Sequence, residues 1–526
     1  MTSQKRDLSA VAHSWARQAV IGWALERNAR RNPNHPAIID YNAGQRRRLT
    51  YRDLDQRANR MANALIAMGV GRGDVVAMMD ENSADYATVA FGALKAGAAF
   101  TGVNPSLTDR ELQYQLTHAA PRVVVVQDGD HEHVLQLIGG RDDCLVLARS
   151  ATEDFIADQS THPPALEIDE SDTALIVYTS GTESFPKGVM IPHRNFQIAT
   201  TPSWVADGYI VASDVFLLLA PMYTMAGLGT LINLLSIGAT AVVSASVKPA
   251  AVLPIIAAEG VTNMSQTPTF YSRMTALDEF DSAELASLQQ CHVYGGAIPA
   301  GVVEAFRAKN SGILWAAYWG QTELSQLGIV GFYRRLADIP NGDLRWIGKP
   351  MAAVEVRVVD DDGQPAEVGE MTCRSPGIMD GYYKAPELTA KVIKDGWLHT
   401  GDIVRMDEDS NIFFYDRKKD MIKTGGMNVS SLEVENVIRR HPAVVDVAVV
   451  GVPDSEWSEA VTAFVVLNDG EPMDEESILD CCRIELAPYK IPKTVVAVSE
   501  LPLDRQGKVV KRALRELGAG FEGELA

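Results

Sequence analysis

The chain has little cysteine, no excess of basic residues and no long uninterrupted hydrophobic run. Only five of its 526 residues are cysteine, and none form a Cys-x-x-Cys pair, which favours a reduced cytoplasmic protein over a disulfide-stabilised secreted one. Acidic residues outnumber basic residues 68 to 48, giving a formal net charge of −20. Because this surplus repels phosphate backbones and anionic lipid, we expect neither a nucleic-acid coat nor binding to a membrane surface.

One segment has no charged residue and is long enough to raise the question of a membrane span. It covers residues 215–247. Pro221, Gly227 and Gly238 interrupt it, and β-branched residues gather near its end. These interruptions predict a strand, a loop, a buried helix and a second strand, so we expect no membrane span.

The length and the pattern along the chain predict more than one domain. A single core stops growing at roughly 250–300 residues, so 526 residues indicate two or three domains. Strand-like runs alternate with amphipathic helices up to about Ala353, where hairpin-like β structure begins, and a dense charge cluster follows at residues 416–420. We therefore predict an α/β protein. Its large N-terminal domain (1–416) would hold layered α/β subdomains and a β-rich subdomain, followed by a small α+β C-terminal domain (417–526).

A loop rich in hydroxyl groups and glycine gives the strongest local signal. Residues 178–189 read Tyr-Thr-Ser-Gly-Thr-Glu-Ser-Phe-Pro-Lys-Gly-Val and follow an apolar strand directly. Backbone N–H groups, hydroxyls and Lys187 together suit a polyphosphate. The loop is not a Walker A motif, because the lysine precedes Gly188 and no Gly-Lys-Ser/Thr occurs. On composition alone, a polar surface loop remains an alternative.

The Ser-Gly-Thr loop resembles the phosphate-binding loop of the AMP-forming adenylating superfamily, which comprises acyl-CoA synthetases, luciferases and the adenylation domains of peptide synthetases. Five further segments resemble motifs of that family in the family's order, and the resemblance runs from about Ala24 to Arg512. These are the adenine-pocket turn Gly295-Gly296-Ala297, the aromatic-Gly-x-Thr-Glu motif Trp319-Gly320-Gln321-Thr322-Glu323, the ribose-binding segment Gly396–Asp402, the hinge Asp416–Asp420, and the lysine segment Pro502–Lys508.

The resemblance implies ATP and Mg²⁺ as cofactors and assigns residues to each part of the nucleotide. The implied ATP-binding residues are Thr179, Ser180, Gly181, Thr182 and Lys187 at the β- and γ-phosphates, Gly295, Gly296, Ala297, Trp319, Gly320 and Gln321 around the adenine, and Asp402 and Arg417 at the ribose. Thr322 would contact the α-phosphate and Glu323 would help to place Mg²⁺, which prefers oxygen ligands. Lys508 would reach the substrate carboxylate and the α-phosphate.

Several of these residues have an ordinary structural explanation when taken singly. Trp319 would be a core aromatic, and Glu323 an acid at a helix N-terminus. Asp402 would form a turn, and Lys508 would be an exposed surface lysine. Only the ordered set of motifs favours the functional interpretation.

The resemblance implies a reaction in two halves: the acid first reacts with ATP to form an acyl-adenylate, and CoA then accepts the acyl group. The small domain would rotate about Lys419, and Lys423, Gly425 and Gly426 would then line the pantetheine tunnel. The acyl pocket would involve Tyr223, Thr224, Met225 and Gly227, which are small or uncharged and indicate an uncharged acyl group. Peptide-synthetase domains usually carry an Asp in the region of Tyr223-Thr224, and its absence argues against an amino-acid substrate.

We therefore predict an AMP-forming acyl-CoA ligase for a small-molecule carboxylic acid, with a homodimer as a candidate assembly. Two departures from the family pattern bear on this prediction: Glu183-Ser184 where many relatives have Thr-Gly, and Thr224 where relatives often have His. One alternative is a stand-alone adenylating enzyme that loads a separate carrier protein or lacks one half-reaction. The other is a non-catalytic protein that binds acyl-adenylate or CoA.

The negative net charge does not argue against a nucleotide pocket, because basic residues concentrate locally. Between Arg483 and Arg512 there are seven basic residues against three acids. We expect this positive charge to lie where ATP and CoA bind.

Overall fold

The computed structural model describes residues 19–42, 45–179, 186–296, 298–425, 427–454, 457–468, 470–503 and 509–521. Backbone proximity divides the chain into two units. The first contains the described residues up to Glu355 together with Cys373–Leu398, and the second contains Val356–Thr372 and the described residues from His399 onward. The predicted hinge at residues 416–420 lies inside the second unit, so its position stays a prediction.

The first unit contains a seven-stranded sheet, and the glycine- and hydroxyl-rich loop joins two of its neighbouring strands. In spatial order its strands are Gly381–Tyr382, Lys187–Pro192, Thr173–Thr179, Ala99–Gly102, Val75–Met79, Val123–Val126 and Leu145–Ala148. The last five run parallel, and the first two are added antiparallel. Parallel strands are buried on both faces, as the fully buried strand Val75–Met79 illustrates. The alternation of strands and helices is confirmed.

A second series of nine paired strands lies in the same unit. In spatial order these are Trp346–Pro350, Gly328–Tyr333, Leu314–Gly320, Gln290–Val293, Asn263–Gln266, Val215–Leu218, Thr240–Ser244, Pro36–Asn42 and Gln45–Thr50. The charge-free segment 215–247 forms the strand Val215–Leu218, a π-helical turn at Met225–Gly229, the buried helix Thr230–Ile237 and the strand Thr240–Ser244, as predicted. Among the described residues, no helix has the length and apolar character needed to cross a membrane.

Helices cover both sets of strands in the first unit. Their bounds are Ile21–Arg31, Tyr51–Ala67, Ala84–Lys95, Asp109–Ala119, His131–Leu137, Thr152–Ile156, His193–Asn195, Thr201–Ala206, Thr230–Ile237, Pro249–Glu259, Pro268–Thr275, Ala300–Lys309 and Pro386–Val392. Tyr51–Ala67 and Ala84–Lys95 pack closely because Gly92 has no side chain: a Cβ there would lie 2.2 Å from Met61 Cγ. Their contact also buries the ion pair between Lys95 and Asp55.

The second unit contains two groups of strands. One group is Glu355–Val359, Val368–Arg374, Trp397–Met406 and Ile412–Arg417, which are neighbours in that order. The other is a five-stranded sheet of Met427–Val429, Ile422–Thr424, Ser458–Leu467 and Val444–Asp454, with Thr494–Ala497 paired parallel to Ser458–Leu467. Alternate residues of Val444–Asp454 face opposite sides of the sheet, as the period of two requires. One side packs on the helices Ser431–Ile438 and Glu475–Glu485, and the other on the helix Lys511–Phe521.

Candidate functional site

The predicted phosphate loop is the connection between two antiparallel strands. Thr173–Thr179 pairs with Lys187–Pro192, and the register places Lys187 directly opposite Thr179 at the base of the loop. Ser180, Gly181 and Thr182 lie outside the described residues. The hairpin therefore brings together the two described members of the predicted phosphate-binding set.

A tyrosine that the sequence analysis did not identify joins this hairpin to Glu323. The short strand Gly381–Tyr382 pairs with Val189 and Met190 of the hairpin, and the Tyr382 hydroxyl donates to Glu323 Oε1 at 2.9 Å. Lys187 Nζ lies 5.5 Å from the centroid of the Tyr382 ring. Burial, and secondarily the neighbouring Glu323 carboxylate, raises the pKa of Tyr382 far above its ordinary value, so its hydroxyl stays protonated and remains a donor.

Glu323 has the chemistry of a ligand for a hard cation. One carboxylate oxygen accepts the Tyr382 hydrogen bond, and within the described part of the chain the other accepts none. The described residues contain no group of three or more His, Cys, Asp or Glu side chains that could hold a metal by themselves. A single half-buried carboxylate next to a phosphate loop fits Mg²⁺, which is commonly held by one or two carboxylates plus substrate phosphates.

The motif Trp319–Glu323 lies at the end of the strand Leu314–Gly320 and in the turn after it. Trp319 is only 8% exposed, and a Cβ on Gly320 would lie 2.5 Å from the Gln326 carbonyl oxygen, so the strand end is tightly packed. Thr322 begins the 3-10 turn Thr322–Leu324, with Gln321 as its N-cap. Glu323 is thus an acid in the first turn of a very short helix, and the Met379 N–H, which donates to its carbonyl at 2.8 Å, ties that turn to the segment leading to Tyr382.

Backbone strain follows this motif directly. Ser325 and Gln326 both have positive φ, 53° and 76°, although neither is glycine. Buried hydrogen bonds hold the conformation: the Gln326 amide donates to Thr230 Oγ1 at 2.7 Å, and its carbonyl accepts from the Tyr318 hydroxyl at 2.6 Å. No sequence signal identified Ser325 and Gln326, since the side-chain partners of Gln326, Thr230 and Asn233, are more than 90 residues away in the sequence.

The predicted adenine turn lies after the strand Gln290–Val293. Gly295 has φ +81°, a conformation that favours glycine, and a Cβ built there would meet no atom of the described residues within 4 Å. At Gly296 the nearest atom would be Pro268 Cγ at 3.7 Å. The backbone is therefore open on this side, which suits a ligand-facing turn. Ala297 lies outside the described residues.

The predicted acyl-pocket residues form a compact loop with a π-helical turn. Thr224 is its N-cap: its hydroxyl accepts from the Gly227 N–H at 3.2 Å and donates to the Pro221 carbonyl at 2.7 Å. A Cβ on Gly227 would lie 2.2 Å from that same Pro221 oxygen, so only glycine fits there. Met225 is buried, and Tyr223 is partly exposed.

In the second unit, the predicted ribose residues lie side by side. Asp402 and Arg417 are paired in the antiparallel register, and Arg417 Nε lies 2.8 Å from Asp402 Oδ1. Asp402 is fully buried, while Arg417 is exposed. Thr400 Oγ1 fixes the turn by accepting from the Asp402 N–H at 3.1 Å and donating to the Met371 carbonyl at 2.6 Å.

In the charge cluster at residues 416–420, the acidic residues before and after Lys419 both make side-chain contacts with other segments. Asp416 is buried, and its Oδ2 accepts from Ser431 N at 2.7 Å and from Ser431 Oγ at 2.6 Å. Desolvation raises the pKa of Asp416 despite these bonds and the nearby Lys511 ammonium. Asp420 pairs with Arg515 at 2.7 Å, and Lys419 itself is exposed.

Two residues predicted for the thioester step lie in and directly after the strand Ile422–Thr424, which pairs with Met427–Val429 on one side and with Ser458–Leu467 on the other. The Lys423 N–H donates to Glu459 Oε2 at 2.6 Å. Gly425 has φ +56° and packs on Trp457, whose carbonyl accepts its N–H at 2.8 Å. Gly426 and Lys508 lie outside the described residues.

Known proteins match nearly the whole chain. A family model described as AMP-binding enzyme matches residues 25–383, and one described as AMP-binding enzyme C-terminal domain matches residues 433–508. A feruloyl-CoA synthase of an Amycolatopsis species is 34% identical over 507 residues, covering 95% of this chain and 99% of the relative. The long-chain-fatty-acid–CoA ligase FadD13 of Mycobacterium tuberculosis is 30% identical over 502 residues, covering 94% and 98%. The solved structure of ATP-bound MatB from Rhodopseudomonas palustris has a TM-score of 0.85 at 28% identity, covering 95% of this chain and 99% of its own.

Proposed function

The chain belongs to the AMP-binding enzyme family and is an AMP-forming acyl-CoA ligase, and we propose that the residues described above divide the two half-reactions of this activity between them. In the first, a carboxylate attacks the α-phosphorus of ATP and releases pyrophosphate. In the second, the CoA thiol displaces AMP from the acyl-adenylate. The observation that supports the assignment best is the group of Lys187, Tyr382 and Glu323 at the base of the phosphate loop.

The first half-reaction brings two anions together, so cationic and N–H donors must offset the charge. Lys187 supplies a positive charge at the β- and γ-phosphates, and Thr179, Ser180, Gly181 and Thr182 are the other residues assigned to them. Thr322 contacts the α-phosphate. Glu323 provides an oxygen ligand for Mg²⁺, which when bound offsets phosphate charge, and Tyr382 holds the Glu323 carboxylate in place.

The proposal assigns the nucleoside to three groups of residues. Gly295, Gly296 and Ala297 would face the adenine, for which the open backbone at Gly295 and Gly296 is suited, and Trp319, with Gly320 and Gln321, would stack against it. Asp402 accepts hydrogen bonds from the ribose hydroxyls, a task suited to an acceptor-only carboxylate. Arg417 orients Asp402 through their 2.8 Å contact.

The second half-reaction uses the small domain in another orientation. Rotation about Lys419 brings Lys423, Gly425 and Gly426 to the adenylate, where the glycines admit the pantetheine thiol. Lys508 serves the first half-reaction, where it contacts the substrate carboxylate and the α-phosphate.

The acyl group is uncharged, because the loop of Tyr223, Thr224, Met225 and Gly227 offers no charged side chain. The related feruloyl-CoA synthase and long-chain-fatty-acid–CoA ligase bear names of aromatic and aliphatic acyl groups, respectively. Both acid classes therefore belong in a substrate test. A homodimer and a cytoplasmic location stay predictions, which light scattering and cell fractionation would test.

Purified protein incubated with ATP, Mg²⁺, CoA and a panel of aromatic and aliphatic acids tests the proposal, with pyrophosphate and thioester measured separately. We expect both products. Pyrophosphate without thioester would favour loading of a carrier protein or loss of one half-reaction, and tight nucleotide binding without turnover would favour a binding protein. Lys508→Ala should abolish pyrophosphate release while sparing thioester formation from preformed adenylate; equal losses in both would contradict its role.

A further inference from the structure

Asn82 holds the loop of the acyl pocket, although it lies in a different part of the first unit. It follows the strand Val75–Met79 and precedes the helix Ala84–Lys95, and it is only 6% exposed. Its Nδ2 donates to the Ala220 carbonyl at 3.0 Å, and its Oδ1 accepts from the Met222 N–H at 2.8 Å. One carboxamide therefore pairs with backbone groups on both sides of Pro221.

The next residue of the loop is held by close packing. A Cβ on Gly102 would lie 2.4 Å from Tyr223 Cα and 2.4 Å from the Tyr86 hydroxyl, so the Tyr223 backbone approaches the strand Ala99–Gly102 as only glycine allows. The Thr224 N–H then donates to the Pro221 carbonyl at 2.9 Å. Tyr223 and Thr224 are thus held between two contacts of the seven-stranded sheet region and the loop's own turn.

The two buried hydrogen bonds of Asn82 supply contacts that the loop cannot make by itself. Pro221 has no N–H, so the loop has one backbone donor fewer with which to organise itself. The carboxamide of Asn82 supplies a matching donor and acceptor where water is excluded, and loss of either would leave a buried backbone group unsatisfied. The position of Tyr223 and Thr224 therefore depends on a side chain far away in the sequence.

We propose that Asn82 is a positioning residue for the carboxylic-acid substrate, acting through residues 220–224 on the placement of Tyr223 and Thr224. The role rests on the proposed acyl pocket. Asn82 does not touch the substrate, and its effect reaches the acid, not ATP, because the loop it holds contains the predicted acyl residues and no predicted ATP residue. A residue that follows the strand Val75–Met79 would thus influence how the enzyme binds its carboxylic acid.

Another asparagine provides a matched control. Asn28 is 2% exposed, and its Nδ2 donates to the carbonyls of Leu235 at 2.7 Å and Ser236 at 3.0 Å. This is the same kind of contact between a buried carboxamide and backbone, but it lies at the end of the helix Thr230–Ile237, away from the predicted acyl residues. Asn28→Ala reports what the loss of such a contact does to the fold alone.

The experiment compares wild type, Asn82→Ala, the isosteric Asn82→Asp and Asn28→Ala in the full chain. Hydrogen exchange of peptides covering residues 217–226 measures the loop without any substrate. We expect faster exchange there in both Asn82 variants and unchanged exchange in Asn28→Ala. Unchanged exchange in both Asn82 variants would overturn the proposal, whatever acid the enzyme uses.

Pyrophosphate release gives the second readout, with the acid of highest turnover in the panel as the probe. We expect the KM for the acid to rise about tenfold or more in Asn82→Ala, with the KM for ATP within about twofold of wild type. Equal changes in both KM values, or the same change in Asn28→Ala, would reduce Asn82 to a structural role. Absence of turnover in wild type would refute the proposed function instead, while the exchange result would still decide the role of Asn82 in the loop.

Discussion

Replacing Tyr382 by Phe isolates one hydrogen bond at the phosphate loop. The change removes the hydroxyl that donates to Glu323 Oε1 at 2.9 Å and keeps the ring that lies 5.5 Å from Lys187 Nζ. Phenylalanine fits the same space, so no cavity forms. Any loss of activity is then assigned to the placement of Glu323, the proposed ligand of Mg²⁺.

The size of the effect follows from the charge of the acceptor. A hydrogen bond to an ionised group contributes about 1.5–3 kcal/mol, which corresponds to a drop in kcat/KM for ATP of roughly 10- to 150-fold. Because the pKa of Tyr382 is raised far above its ordinary value, the hydroxyl is a donor throughout the neutral range. The ratio of wild-type to variant activity should therefore stay constant between about pH 6 and 9.

The assay is pyrophosphate release at saturating acid with varied ATP and Mg²⁺. Tyr382→Leu, which also removes the ring facing Lys187, should lose more activity than Tyr382→Phe. Tyr383→Phe is the control, because within the described residues the Tyr383 hydroxyl makes no hydrogen bond although its ring packs against His118. The reasoning is refuted if Tyr382→Phe stays within twofold of wild type, or if Tyr383→Phe loses as much.

Two further substitutions test other parts of the structure. Gly227→Ala forces a Cβ to within 2.2 Å of the Pro221 oxygen and should destabilise the protein by about 1–3 kcal/mol and raise the KM for the acid, whereas Gly301→Ala, with no atom within 4 Å, should do neither in thermal melts and kinetics. Asp416→Ala leaves the buried Ser431 N–H and hydroxyl without their carboxylate acceptor and should lower the free energy of unfolding in urea by about 1–3 kcal/mol, with faster hydrogen exchange in the helix Ser431–Ile438; equal protection of that helix in wild type and variant would contradict this.

Local patterns in the sequence predicted those parts of the fold that depend on neighbouring residues. The interruptions at Pro221 and Gly227 correctly predicted that the segment 215–247 is divided into strand, loop, helix and strand. The short β segments after Ala353 could likewise be predicted from the sequence, because turn residues such as Asp360–Gly363 separate them. Periodicity and turn chemistry are local, so a single sequence contains them.

Contacts between distant segments were beyond that kind of reasoning. Tyr382 meets Glu323 across 59 residues, and Asn82 meets Met222 across 140. A tyrosine after glycine in a short strand, or an asparagine after a buried strand, has no spacing that indicates its partner. The resemblance to a family supplied the motif residues, but the side chains that hold those residues in place became visible only in the structure.

The structure shows how the positive charge between Arg483 and Arg512 is paired. Most of the basic residues between Arg483 and Arg512 that the structure describes are paired with acids: Arg483 with Glu476 and Asp480, Lys490 with Glu433, Lys511 with Glu435, and Arg512 with Glu516. Lys493 stacks on Trp457. Counting charges within the segment omitted these partners, all of which lie outside it. Local net charge therefore overstates the unpaired positive charge of this segment, and its position at the ATP and CoA sites stays a prediction.

The threonine that departs from the family pattern is explained by its own loop. The Thr224 hydroxyl has one proton, which it gives to the Pro221 carbonyl, and it accepts the Gly227 N–H, so both of its hydrogen-bonding functions serve the π-helical turn. It therefore has no proton to offer to the acid carboxylate, where relatives often have a histidine. Under the proposed function, neutralising that carboxylate during adenylation would fall to other groups: Lys508, and the Mg²⁺ for which Glu323 is the proposed ligand. Thr224 serves the shape of its own loop, and the proposal assigns the charge chemistry to the lysine and to the hydroxyl- and glycine-rich loop.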